Sequence, residues 1–394
     1  MLSQFPSIDH VMSLTPTGMR KGRDSVIKIM KILGNPQDEL SVFHVTGSNG
    51  KWSVCQMLSQ VLWKSFWKKV GLFTSPHFIK INERFQINGT PIEDQELEKY
   101  YKQVIQLSEQ HNILLSFFEI QVVVMVLYFI AEKVDYAVVE VGLGWTYDGT
   151  NIFTKPLACF ITSITLEHTH VLGKTRASIL RNKLGIVKNN THLYTPLKNK
   201  LIENTCRERK ATLHTIGKNK KKKTNLPGNH QQKNAGLVFE ALKNLGFDTN
   251  KILSGLQNIY NPGRFEWIAP HILVDTANNR ENIKILRSMV QKIKSKKIIT
   301  LYGTTQIDAE YTSELAQMIP AERRILVDDF CDRSLPCEAY SSWVVYDDTI
   351  HLLQEKKRVI EILKNTNNTI VVYGSFYLVW EIMNLSIYQP FAMR

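Results

Sequence analysis

With 394 residues, 43% hydrophobic and 22% charged, the chain has material for two domains with separate apolar cores. A formal charge of +13 and a pI near 9.3 suit anionic ligands such as nucleotides or acidic metabolites, the other reading being a simply basic surface. Five cysteines, at 55, 159, 206, 331 and 337, include no CxxC pair, which argues against zinc ribbons and disulfide scaffolds and fits a reducing cytoplasm.

The N-terminal MLSQFPSIDH has neither a basic start nor a long apolar run, so no secretory leader is expected. From Phe43 onward, strand-like and helix-like segments alternate. VFHVTG reads as a buried strand, Lys51 to Phe66 as a helix and VGLFTS (70–75) as the next strand. Helical patterns follow at 93–111 and 117–132. The second continues the most apolar stretch, Ile113 to Ile130, whose length approaches a membrane span. Ser116, Glu119 and Gln121 interrupt it, so a buried core helix is expected. DYAVVEV (135–141) and ACFITSI (158–164) are strands. GKNKKKKTNLP (217–227) is a basic break, read as a solvated loop and not as a nucleic-acid site.

After the turn-rich NPGRFE (261–266) the alternation resumes. It runs through HILVDTA, a helix from Glu281, KIITLYG, a helix near 309–319, RILVDD, SWVVYDD, a helix near 350–364 and TIVVYGS. The pattern predicts an α/β fold with a mainly parallel sheet flanked by helices over residues 1–260. A linker at 261–266 leads to a smaller Rossmann-like α/β domain over 267–394.

One segment points to chemistry. In HVTGSNGKWSVCQML (44–58) a strand runs through a glycine turn into a helix. Backbone N–H groups of Gly47, Ser48, Asn49 and Gly50, with the helix dipole behind them, suit phosphate oxygens. Lys51 adds a point charge and Ser53 a hydroxyl. The segment departs from GxxxxGK[ST], because Val45 stands at its first glycine and Trp52 separates Lys51 from Ser53. A plain strand-to-helix turn with a surface lysine is the alternative.

The spacing resembles that of the ATP-dependent amide ligases typified by Mur ligases. Within them the chain is similar to bacterial bifunctional dihydrofolate synthase/folylpolyglutamate synthase. GNPQDELSVFHVTGSNGK, VGLFTSPHFIKINERFQINGTPI, SFFEIQ, VVEVGLG, ITLEHTHVLGKT, NKLGIVK, NPGRFE and GSFYLV follow in family order over about residues 10 to 384. The resemblance implies ATP-dependent addition of L-glutamate to dihydropteroate and to reduced folates. The carboxylate becomes an acyl phosphate and the glutamate amine then displaces phosphate. It implies a cytoplasmic monomer acting on small molecules, away from nucleic acid and membranes.

The same resemblance implies site residues. Mg²⁺ would be held by Ser75, Glu140 and His168. Glu140 also stands out by itself, as an acid closing an apolar strand, whereas His168 and Lys183 otherwise read as surface residues. Lys183 corresponds to a lysine carbamylated in the family, which helps hold a second divalent ion or orients the γ-phosphate. Lys51, Lys183 and His168 would be the catalytic groups. Asn234 would lie near adenine, Arg264 would reach phosphate and Asp275 the ribose, with ATP between the two domains. The loop 15–22 and Phe117 with Phe118 would line the pterin pocket, the phenylalanines reading otherwise as core at helical spacing.

Departures accompany the match. Tryptophan stands at 52, 67, 145 and 380, where the family commonly has glycine. DTANN replaces DGAHN, Asn182 replaces a glutamate and Glu167 an aspartate. Helical dihedrals at position 52 suit tryptophan, but its bulk needs room. Two other readings follow: a non-catalytic relative that binds nucleotide or pterin, and a Mur-type ligase with another acceptor.

Overall fold

An eight-stranded sheet organises the first half of the chain, with strand order β4-β3-β2-β5-β1-β6-β7-β8. The strands are β1 (Val42–Thr46), β2 (Val70–Phe73), β3 (Phe85–Ile87), β4 (Thr90–Pro91), β5 (Tyr136–Glu140), β6 (Ala158–Ile161), β7 (His192–Thr195) and β8 (Thr212–Thr215). The computed structural model describes residues 4–14, 23–77, 80–142, 148–166, 173–217, 220–293, 297–306, 308–364 and 368–385. It divides into two units, Met1–Tyr260 and Asn261–Arg394.

In the first unit β1 lies between β5 and β6 and is parallel to both. All five of its residues are buried, as in a parallel strand covered on both faces. On one face Val54, Leu58 and Leu62 of the Lys51–Phe66 helix pack with Phe43, Val45 and Val138. On the other, Val123 and Phe129 of the Phe117–Ala131 helix pack with Phe73 and Val139. That helix is the apolar segment flagged in the sequence. It starts where Ser116 accepts from Glu119 N and the Glu119 carboxylate accepts from Ser116 N at 2.6 Å. Among the described residues no helix is long and apolar enough to cross a membrane.

The chain leaves β1 toward β2 on one side and, after β5, crosses to β6 on the other. In open α/β sheets such a reversal opens a crevice at the carboxyl ends of the strands, where ligands bind. Here it falls at β1, directly before the glycine turn. The short edge strands β3 and β4 went unforeseen although their signal was local. Asn88 and Gly89 both have positive φ, 51° and 81°, as an Asn-Gly hairpin turn requires. The basic loop is held to the Asn229–Asn244 helix: Lys222 Nζ sits 4.0 Å from the Phe239 ring centroid and Lys220 pairs with Glu240 at 3.0 Å.

The second unit is a six-stranded sheet of order β13-β12-β11-β14-β10-β9. Its strands are β9 (Glu266–Ala269), β10 (Ile272–Val274), β11 (Ile298–Tyr302), β12 (Arg323–Asp328), β13 (Asp348–His351) and β14 (Thr369–Tyr373). Among the described residues only β9 pairs antiparallel, at one edge.

Two expectations fail here. SWVVYDD is not a strand: Trp343, Val345 and Tyr346 are 51%, 68% and 44% exposed in a connection. The strand is the more polar Asp348–His351, and the following helix begins at Lys356 instead of near 350. The aromatic and β-branched run looks like a buried strand, but β13 is an edge. Arg323 and Arg358 both pair with Asp348 at 2.7 Å, a charged rim that protects an edge strand from further pairing.

Candidate functional site

The turn after β1 needs its glycines. Gly47 has φ 144°, and a Cβ there would lie 1.9 Å from Thr162 Oγ1. Gly50, at φ 92°, caps the Lys51–Phe66 helix, and a Cβ on it would press on the Asn234 side chain at 3.2 Å. The turn is tied to the segment after β6. Ser48 N donates to Ser163 O and Asn49 N to Ser163 Oγ, both at 2.8 Å, while Thr162 Oγ1 donates to Asn49 O at 2.7 Å. Two of the N–H groups expected to face phosphate are therefore engaged in holding the turn. The donors that suit an anion are those of the helix's first turn, which lack intrahelical acceptors.

Two lysines meet at the turn. Lys51 Nζ donates to Gly47 O at 2.9 Å, and the buried Lys183 Nζ donates to the same oxygen at 3.1 Å. Lys183 closes the Arg176–Lys183 helix and is not the surface residue its sequence context suggests. The interior thiol of Cys55, one helical turn beyond Lys51, registers the local charges. Burial pushes it well up and the Glu140 carboxylate pushes it further, while Lys51 opposes them.

Glu140 ends β5 and is 3% exposed. Ser75 N donates to its Oε2 at 3.3 Å, so two of the three expected metal ligands meet at adjacent strand ends. The donor set fits a hard divalent cation, being a carboxylate with a hydroxyl residue beside it. A further observation supports the fit: Thr74 Oγ1 is buried and lacks a partner among the described residues, as do Thr46 Oγ1 at the end of β1 and Thr165 Oγ1 in the segment after β6. These hydroxyls were missed by sequence reasoning, since burial without a partner carries no sequence signal.

Ser53 is buried and its Oγ accepts from Gln231 Nε2 at 3.1 Å. Gln231 Oε1 in turn accepts from Asn234 Nδ2 at 3.0 Å. This chain braces Gly50 from behind and places Asn234 against the turn. Trp52, 6% exposed, is accommodated in the interior, whereas Trp67 is 86% exposed. Trp67 ends the same helix at φ 57°, a left-handed position that explains a glycine preference there.

Phe117 and Phe118 are partly buried against the core. A Cβ on Gly142, just past Glu140, would meet the Phe118 ring at 2.4 Å. The guanidinium of Arg84 lies over the Phe117 ring at 5.2 Å, and Arg84 Nε donates to His77 Nδ1 at 3.0 Å. Burial, reinforced by Arg84, lowers the His77 pKa to about 4, so that ring is neutral at pH 7.

In the second unit Asp275 follows β10. Its Oδ2 accepts from Phe265 N at 2.9 Å and its Oδ1 from Ala277 N at 2.8 Å. Burial raises its pKa against the pull of Arg264 and these two bonds. The carboxylate thus organises its own turn. His168, Trp145 and the loop 15–22 lie outside the described residues.

A glycine turn with lysines on a mainly parallel sheet, beside a strand-end carboxylate, defines a phosphate-loop α/β protein. The chain belongs to the Mur ligase family: residues 45–262, more than half of it, match the Mur ligase middle domain. It is 28% identical to dihydrofolate synthase/folylpolyglutamate synthase of Bacillus subtilis, the alignment covering 93% of this chain and 95% of that protein. The crystal structure of folylpolyglutamate synthase from Thermotoga maritima matches with a TM-score of 0.80 at 25% identity, over 95% of each chain. E. coli FolC in complex with DHPP and ADP shares the fold, with a TM-score of 0.85 at 22% identity over 99% of each chain.

Proposed function

We propose that this chain is an ATP-dependent carbon–nitrogen ligase that adds L-glutamate to dihydropteroate and to reduced folates. The observation that carries the reading is the end-to-end match with a bifunctional relative, which takes in both units and not the middle domain alone. The buried accommodation of Trp52 beside a turn that keeps both positive-φ glycines supports a working site over a degenerate one.

In this reading ATP phosphates lie on the first turn of the Lys51–Phe66 helix, with Lys51 releasing Gly47 O to meet them. Lys183, 3.1 Å from that oxygen, either keeps the turn in place as an amine or, once carbamylated, presents a carboxylate toward a second ion or the γ-phosphate. Ser75, Glu140 and His168 would hold Mg²⁺, which when bound supplies charge neutralisation between two anionic substrates. Asn234 braces the turn on the side assigned to adenine, and by the family resemblance Arg264 would bind phosphate and Asp275 the ribose. Phe117 and Phe118 offer apolar surface for a flat pterin. Acyl-phosphate chemistry needs water excluded, which the buried setting of Glu140 favours. The enzyme would act as a cytoplasmic monomer.

The test is phosphate release from ATP by the purified chain with dihydropteroate or tetrahydrofolate, with and without L-glutamate. Glutamate-dependent release is expected with both pterins. Nucleotide or pterin binding without turnover would establish the non-catalytic alternative instead, and turnover only with another acceptor would establish a different Mur-type ligase.

A further inference from the structure

Of the unpartnered hydroxyls near Glu140, that of Thr74 stands directly beside the carboxylate residue. Phe73 of β2 is in register with Val139 of β5, so the next residue, Thr74, stands beside Glu140. Thr74 N donates to Arg84 O at 3.3 Å, which carries the β2–β3 pairing one residue further and keeps Thr74 extended. Side-by-side residues of neighbouring strands share a face. Leu72 and Val138 lie two residues earlier on that face, in the same core cluster as Cys55, whose thiol senses both Glu140 and Lys51. Thr74 and Glu140 therefore point to the side of the sheet covered by the phosphate-loop helix.

Thr74 is 1% exposed, and its Oγ1 has no hydrogen-bond partner among the described residues. A buried hydroxyl left unpaired is unfavourable and is rare in folded proteins, so such an atom marks a place where a partner arrives. Valine would fill the same volume without that penalty. Polar groups outside the direct ligands of a metal ion commonly hold its bound waters and orient its carboxylates.

We infer that Thr74 is a positioning residue for the divalent cation, its Oγ1 accepting a hydrogen bond from a water bound to the ion that Glu140 and Ser75 hold. The inference rests on the metal reading under Proposed function. Thr74 makes no bond to substrate and takes no part in proton transfer. It fixes the orientation of the ion's shell and thereby of Glu140.

The experiment uses the full chain with a non-hydrolysable ATP analogue and titrates Mn²⁺, reading free ion by electron paramagnetic resonance. Thermal unfolding is measured separately without metal or nucleotide. Thr74→Val is expected to weaken Mn²⁺ binding about tenfold. Without metal the same variant is expected to melt about 2–4 °C higher than wild type, because the unpaired hydroxyl is gone. Thr74→Ser restores the hydroxyl and is expected to bind Mn²⁺ like wild type. Opposite signs for metal affinity and metal-free stability are what a purely structural threonine does not produce. Unchanged Mn²⁺ affinity in Thr74→Val, a lower metal-free melting temperature in that variant, or an equal loss in Thr74→Ser would each overturn the inference. Failure of wild type itself to bind Mn²⁺ would overturn the metal reading on which it rests.

Discussion

Gly47→Ala puts the glycine turn to a quantitative test. The added Cβ would lie 1.9 Å from Thr162 Oγ1 and 3.0 Å from Thr162 N, and φ at this position is 144°. A side chain held at such a φ costs about 1–3 kcal/mol. Thr162 must also move, which breaks the hydrogen bond its single hydroxyl proton makes, the shorter contact being to Asn49 O at 2.7 Å. That bond is worth about 1 kcal/mol. Gly47→Ala is therefore expected to lose about 2–4 kcal/mol of stability. Urea unfolding followed by circular dichroism measures the loss, and ATP affinity is expected to fall with it because Gly47 O anchors Lys51 and Lys183. Thr162→Ala removes the nearest clashing atom. The double variant should lose less than the two single losses combined, since one steric conflict is counted in Gly47→Ala alone. A Gly47→Ala chain within about 0.5 kcal/mol of wild type, or strict additivity in the cycle, would refute the packing account of this turn.

Three other outcomes follow from the same geometry. Restoring the family's usual residue with Trp52→Gly empties a buried site and is expected to destabilise the chain by about 3–5 kcal/mol without raising turnover, measurable by urea unfolding and the phosphate assay. Trp67→Gly has the opposite sign: it relieves a left-handed position occupied by an exposed side chain and should add about 1 kcal/mol, seen as a higher urea midpoint at unchanged slope. The third concerns His351, whose Nδ1 lies 2.6 Å from Asp328 Oδ1, with Glu338 and Glu355 nearby; the Asp328 hydrogen bond and charge raise its pKa. Its contribution is complete below the unfolded histidine value of about 6.5 and is lost as pH rises through the raised folded value. Because the ring is half in solvent, wild type should exceed His351→Asn by only about 0.5–1 kcal/mol at pH 6, the gap closing by pH 9. A gap that widens with pH would contradict the ion pair.

Local signals read well in this chain. The helix begins at Lys51 and ends at Phe66 because a glycine turn and an uninterrupted helical pattern bound it, and both are written in neighbouring residues. Alternation of apolar strands with helices was enough for two mainly parallel sheets, since burial on both faces demands near-continuous apolar runs. The order of strands was not legible, because pairing joins residues far apart in sequence. Without that order nothing places Ser75 beside Glu140 or brings Lys183 to the Gly47 carbonyl. SWVVYDD misled for the converse reason: its composition suits a buried strand, but the chain leaves it outside the sheet and gives the edge to a polar segment. Residue types and their spacing thus determined the elements and named most of the candidate groups. Only the tertiary structure decided which of those groups meet, that Trp52 is interior while Trp67 is exposed, and that the hydroxyl of Thr74 is sealed beside a carboxylate. Burial and pairing are properties of the packed sheet and not of any stretch of chain.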